Sequence, residues 1–298
     1  MSAAVSPSTG RRYGARRVCA AWDIPRSSFY AARAARPDAG AEPPGRPGPR
    51  PEIADDELLA LIRADLESSP FHGEGHRKVW ARLRIQRDVR ASRKRVLRLM
   101  RDNRLLSPRR ARGGGGAAHD GTIVTEAPGL MWGTDGMRVL TLDDGWCWVF
   151  SAVEHWNAEC VGWHVCKTGD RYAALEPIAA GLARFRGGIG PDAGRGLRLR
   201  MDHGSQYLSD HFRNQLRYWG LAPSYAFVEQ PQTNGVAERF NRTIKEQAIQ
   251  GRVFRDVEEV RRAVGAFVER YNNGWRMEKL GFLTPVEARL DYSRGAAA

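Results

Sequence analysis

The sequence predicts an α/β core, a mixed five-stranded sheet flanked by helices, preceded by a small all-helical domain. Three observations predict it: helical periodicity dominates residues 53 to 106, strand-like runs begin at Trp132, and a Gly-rich break separates the two. The 298 residues suffice for one large domain with a full core plus one or two small ones.

Residues 1 to 36 read as a basic arm with a possible helix-turn-helix remnant. Two short helical patterns, around Val18 to Trp22 and after Ser27, flank Asp23-Ile24-Pro25, and Ser27 is expected to cap the second. A frayed basic arm is the alternative. Residues 37 to 51 are dense in Pro and Gly and read as a linker. Residues 52 to 106 read as three helices, with Ile53, Leu58, Leu59, Ile62 and Leu66 on one apolar face, Val79, Trp80 and Leu83 on the next, and Val96, Leu99 and Met100 on the third. Ser92 is expected to cap the third helix, which carries Arg93, Lys94, Arg95, Arg98 and Arg101. Residues 107 to 121, with Gly113 to Gly116, form a second linker, and residues 122 to 298 form the catalytic core with C-terminal helices.

Within that core, Trp132 to Leu142 and Trp146 to Val153 read as strands joined by an Asp143-Asp144-Gly145 turn. Cys160 to Lys167 supplies a third strand, a helix spans about Arg171 to Phe185, and Gly196 to Met201 alternates as a fourth strand. Ser209 caps a helix ending near Gly220, and Leu221 to Phe227 is a fifth strand. One further helix carries Glu238, and another carries the stripe Val257, Val260, Val264, Phe267 and Tyr271. Thr284, Pro285 and Glu287 spell a capping box for a last helix. Strand-strand-strand-helix-strand-helix-strand-helix is the order of the ribonuclease H-like fold, although order alone is weak evidence for it.

The net charge of +13 is localised, because residues 75 to 113 hold 15 Lys or Arg against Asp88 and Asp102 alone. Localised positive charge points to a polyanion, and the phosphate backbone of nucleic acid is the usual one. Cys19, Cys147, Cys160 and Cys166 show neither Cys-x-x-Cys spacing nor a disulfide framework, which fits a reducing cytoplasm. His72 and His76 have no cysteine pair nearby and read as surface or capping residues. No apolar run has membrane-spanning length and no signal core follows the N-terminal arginines, so the expected location is the cytoplasm or the chromosome.

Three acids stand in distinctive contexts: Asp135 in Trp132-Gly133-Thr134-Asp135, Asp202 in Asp202-His203-Gly204-Ser205-Gln206-Tyr207, and Glu238 in Pro231 to Arg242, with 35 residues between the last two. Arg242 and Lys245 follow Glu238 at i+4 and i+7 and share its helical face. Pro231 to Gly235 reads as a flexible loop with left-handed backbone at Asn234-Gly235.

These contexts resemble the DDE triad of the retroviral integrase and transposase superfamily. Within it the chain is most similar to the larger open-reading-frame product of IS3-family insertion-sequence transposases. The segments Gly75 to Trp80 and Ser92 to Met100 resemble the helix-turn-helix domain ahead of the catalytic core in that family. The resemblance implies a polynucleotidyl transferase that cleaves at transposon ends and joins the 3′ hydroxyl to target DNA. It implies two divalent cations, Mg2+ with Mn2+ as substitute, on Asp135, Asp202 and Glu238; a DNA contact through Arg242 and Lys245; a homo-multimer on DNA; and an upstream-frame protein as fusion or partner. A hard cation with carboxylate oxygens is chemically apt for such a site. A catalytically silent DNA-binding descendant and a structure-selective nuclease on the same fold remain open as alternatives.

Overall fold

In the computed structural model the described residues are 2–34, 52–107, 123, 125–225 and 234–297. Both expected linkers, apart from Ser107, fall outside them, as do residues 226–233. The chain divides into two compact units, Met1–Pro51 and Glu52–Ala298.

The first unit contains helices α1, Gly14–Ala21, and α2, Arg26–Ala34. Between them Asp23 adopts φ +50°, a left-handed turn that a helix cannot pass through. The expected cap at Ser27 is not found, because α2 has already begun at Arg26, directly after Pro25. Proline has no N–H to donate and a preset φ, so it suits a helix entrance.

The second unit begins with three helices, α3 at Asp55–Ser68, α4 at His76–Arg87 and α5 at Arg93–Asp102. Leu58, Ile62, Val79, Leu83, Val96, Leu99 and Met100 form their shared core. Asp88, at φ +48°, stops α4, and the Ser92 side chain accepts from the Arg95 amide at 3.2 Å, capping α5 as its sequence predicts. Beside this core, Arg82 donates to Asp65 at 2.7 Å and also binds Glu74, all three buried.

The sheet follows with β1, Met131–Thr141, β2, Gly145–Glu154, and β3, Cys160–Cys166. Next come α6, Glu176–Phe185, β4, Arg198–Met201, the short α7, Ser205–Leu208, α8, Asp210–Tyr218, and β5, Ala222–Tyr225. Helix α9, Gly235–Ile244, runs into a π-type turn at Lys245–Ile249, then α10, Val257–Gly274, and α11, Pro285–Ala297. Strand order is β3-β2-β1-β4-β5, with β1, β2 and β3 antiparallel and β4 and β5 parallel to β1. This is the expected mixed five-stranded sheet flanked by helices.

Side-chain alternation divides the core between the two faces of the sheet. Met137, Val139, Cys147 and Val149 pack with Phe240, Ile244, Val260, Val264 and Phe267 of α9 and α10. Trp132, Phe150, Ala152 and Leu199 pack with Ile178 and Leu182 of α6 and Phe212 and Leu216 of α8. Gly162 lets α6 approach β3, because a Cβ there would collide with the Pro177 carbonyl.

Two boundaries differ from expectation. The helix expected from Arg171 starts only at Glu176: Asp170 accepts from the amides of Tyr172 and Ala173, holding residues 171–175 as turns until Pro177 opens the regular helix. The fifth strand ends its described part at Tyr225. The C-terminal capping box forms as predicted, with the Thr284 amide donating to Glu287 at 2.9 Å and the Glu287 amide to Thr284 Oγ1 at 3.2 Å. Among the described residues no helix is long and apolar enough to cross a membrane.

Candidate active site

Asp135 lies in β1 at the point where β4 ends beside it. The β1–β4 register pairs Met131 with Arg198 and Gly133 with Arg200; extended by two residues it sets Asp135 level with Asp202. Parallel neighbours lie about 4.8 Å apart, so the two acids stand side by side where β4 ends against the middle of β1. Glu238 enters from the first turn of α9, whose buried stripe Ala237, Phe240 and Ile244 fastens the helix across β1 and continues through the π-type turn to Ala248. Asn234 anchors the helix start, donating from Nδ2 to the Thr134 carbonyl at 3.0 Å. Its φ of −98° corrects the left-handed backbone expected there: the buried side chain is spent on β1, which holds the turn in a right-handed conformation. Residues 231–233 of the expected loop lie outside the described residues.

Asp135 and Glu238 line one concavity together with Arg138, Trp148, Asn241, Arg242 and Lys245. Burial pushes the Asp135 carboxyl up to about 6, opposed by hydrogen bonds from Gly136 and Asn241 and reinforced by repulsion from Asp202 and Glu238. Glu238 is also raised, first by burial and further by Asp202, with Arg242 pulling the other way. The three acids therefore share one electrostatic environment. Among the described residues, no group of three or more ligating side chains is gathered tightly enough to hold a metal ion. Each aspartate is instead engaged by a nearby backbone amide, Asp135 Oδ1 by Gly136 at 2.8 Å and Asp202 Oδ1 by Gly204 at 2.8 Å. Carboxylate oxygens that repel one another are the donor type a divalent cation prefers, and a cation between them would relieve that repulsion.

Asn241 was not singled out by the sequence reading. It sits three residues beyond Glu238, donates from Nδ2 to Asp135 Oδ2 at 2.9 Å, and accepts from Ser151 Oγ at 2.9 Å. Ser151 is the direct cross-strand partner of Asp135, so a single hydrogen-bonded chain ties β2, α9 and the carboxylate together. Its i+3 spacing from Glu238 is the sequence feature that marks it.

The basic residues separate into two groups. Arg242 and Lys245 line the concavity beside Glu238. On α5, Arg95 and Arg98 bind Asp55 at 2.7 Å and 2.6 Å, and Arg93 reaches Glu278 at 3.1 Å, an acid that Arg77 also binds at 2.5 Å. Lys94 and Arg101 of the same helix are exposed.

Comparison with known proteins agrees with this architecture. Residues 54–113 match an HTH-like domain family, and residues 125–231 and 220–285 match two integrase core domain families. Transposase InsD of insertion element IS2A/D/F/H/I/K from Escherichia coli is 28% identical over 238 residues, covering 78% of this chain and 78% of that protein. Transposase InsD of IS2-9 from Escherichia coli (strain K12) is 28% identical over 238 residues, covering 78% and 76%. Among solved structures, the catalytic core of BIV integrase gives a TM-score of 0.42 at 20% identity, covering 57% of this chain and 99% of that one. The HTLV-2 integrase catalytic core in complex with magnesium gives 0.38 at 14%, covering 51% and 90%. With domain matches in the order the structure displays, and transposases aligned over three quarters of both chains, the chain is similar to insertion-element transposases and matches an HTH-like domain family ahead of integrase core domain families.

Proposed function

We propose that this chain cleaves DNA at the ends of an insertion element and joins the freed 3′ hydroxyl to target DNA, using Asp135, Asp202 and Glu238. The observation that supports the reading is the electrostatic coupling of Asp135 to Asp202 and Glu238, with Asp135 and Glu238 lining one concavity beside Arg242 and Lys245. Two divalent cations, Mg2+ or Mn2+, bound to these acids would supply charge neutralisation at the phosphate and activation of the attacking oxygen. Asp135, Asp202 and Glu238 would hold the cations between them. Asn241 keeps the Asp135 carboxylate turned toward the concavity. Arg242 and Lys245 bind the phosphates that flank the reacting one, and Arg93, Lys94, Arg95, Arg98 and Arg101 would contribute contacts to the element's end. For the residues now paired to Asp55 and Glu278, phosphate would replace a carboxylate. A multimer on DNA, an upstream-frame partner and a cytoplasmic, chromosome-associated location follow from the same reading.

The test supplies the full chain with a branched DNA that mimics a strand-transfer product, in Mg2+ or Mn2+, and compares wild type with Glu238→Gln. Metal-dependent resolution and rejoining in wild type, lost in the variant, is the expected result. Hydrolysis without joining would favour a nuclease. Absence of both from folded, metal-binding protein would leave a silent DNA-binding descendant.

A further inference from the structure

Strands β1 and β2 remain paired up to Thr141, eight residues beyond the last β1–β4 pair at Gly133, and β2 leaves β3 after Trp148, so a hairpin tip of Val139–Thr141 and Gly145–Cys147, bridged to Phe254, extends past the carboxylates. On the sheet face opposite Met137 and Val139, Arg138 stands directly across from Trp148, and Leu140 across from Trp146. The Arg138 guanidinium lies 5.4 Å from the centre of the Trp146 ring and 5.7 Å from that of Trp148.

The two indoles differ in freedom. Phe150 stacks on Trp148 at 5.6 Å and 7°, and a side chain at Gly169 would occupy the space of the same ring. Trp146 is 56% exposed, beside Leu140 at 57% and Leu142 at 71%. A large indole left open to water beside a guanidinium contributes little to folding. It has the composition of a nucleic-acid stacking surface, since every base presents a π face to an aromatic ring or an arginine plane.

Position and charge narrow the occupant. Arg138 and Trp148 form one wall of the concavity that holds Asp135 and Glu238, and Arg242 and Lys245 line it as well. A strand whose phosphates follow those cations reaches the hairpin tip next. The acids of the hairpin turn are neutralised, Asp143 by Arg255 at 3.1 Å and Asp144 by Lys167 at 2.6 Å, so they do not repel a phosphate.

We propose that Trp146, with Arg138 beside it, is a stacking subsite for an unpaired DNA base a few nucleotides from the reacting phosphate. The inference rests on the DNA-processing reading of the carboxylates and adds the form of their substrate: an end that is frayed or single-stranded at this point, rather than a closed duplex.

The test measures binding of the full chain without divalent metal to two duplexes of identical sequence. One is blunt, and the other carries a short unpaired 3′ tail containing 2-aminopurine, whose fluorescence is quenched on stacking. Wild type is expected to prefer the tailed duplex about tenfold, equivalent to about 1.4 kcal/mol, and to quench the probe. Trp146→Ala should abolish both the preference and the quenching while leaving blunt-duplex affinity unchanged, and Trp146→Phe should keep most of the preference. Equal binding of the two duplexes by wild type, or a preference that survives Trp146→Ala, overturns the subsite alone. If light scattering shows that Trp146→Ala dissociates a multimer while the preference persists, the patch is a contact between chains and the subsite is refuted. Failure to bind either duplex at low salt overturns the DNA-processing reading and the subsite with it.

Discussion

Asn241→Ala removes the side-chain donor to Asp135 and strands the buried Ser151 hydroxyl that Asn241 accepts. A hydrogen bond to an ionised acceptor contributes about 1.5–3 kcal/mol and one to a neutral acceptor about 0.5–1.5 kcal/mol, so the cost depends on the charge of Asp135. In the folded chain that carboxyl titrates at about 6, above its ordinary value of 3.8, because burial disfavours the anion. The native state therefore binds the proton more tightly than the unfolded chain. This contribution to stability is full below about pH 4 and is lost as pH rises through 6, by about 3 kcal/mol in all. Without Asn241 the anion loses its partner and the folded-state pKa climbs further, extending the loss to higher pH. At pH 5, with Asp135 mostly protonated, Asn241→Ala should cost mainly the neutral bond and the stranded hydroxyl; at pH 8 it should cost about 1–1.5 kcal/mol more. Urea unfolding followed by tryptophan fluorescence, in metal-free buffer at both pH values, reads the difference directly. Equal destabilisation at the two pH values would refute the clamp, as would an undiminished pH step when Asn241→Ala is placed in an Asp135→Asn background.

Three further outcomes are expected. Arg82→Met leaves Asp65 and Glu74 buried without their shared cation and should destabilise the HTH-like domain by about 3–5 kcal/mol, read as an early denaturation step in circular dichroism. Gly162→Ala drives a methyl into the Pro177 carbonyl and should lower the melting temperature by several degrees or leave the core unfolded; a variant as stable as wild type would mean that α6 can shift away from β3. Burial, with Lys279 and Arg200, depresses His155 to about 4, so the unfolded chain binds its proton more readily and stability falls as pH drops below 6.5, by about 2 kcal/mol at pH 5. His155→Gln should remove that component from the pH–stability profile, and an unchanged acid limb would contradict it.

The elements most legible in the sequence were those whose signals are local. Ser92, Ser209 and the Thr284–Glu287 pair cap the helices their spacing announced, and the Asp143-Asp144-Gly145 turn joins the strands it separates. Where the reading failed, a local signal was outweighed by another contact. Asp170 captured the amides that would have opened a longer α6, Pro25 started α2 before Ser27, and the Asn234 side chain was drawn onto Thr134 instead of supporting a left-handed turn.

The candidate site shows the same division at longer range. Asp135, Asp202 and Glu238 could be singled out because each lies in its own sequence context, whereas their proximity is a property of register. Parallel pairing of β4 beside β1 sets two acids 67 residues apart in sequence side by side in the sheet, and no local pattern encodes that offset. Asn241 and Ser151 were less visible for a related reason: neither is charged, and each acquires significance only because β2 and α9 meet over Asp135. The arrangement also explains why burial and metal affinity belong together on the proposed reading. A carboxylate pushed up to about 6 by desolvation and by two like-charged neighbours is held in an unfavourable state, so binding a divalent cation there releases repulsion as well as forming bonds. Cation binding should therefore weaken as pH falls through 6, where protons compete for Asp135, and an acid limb near that pH in the joining reaction is the kinetic counterpart of the same competition.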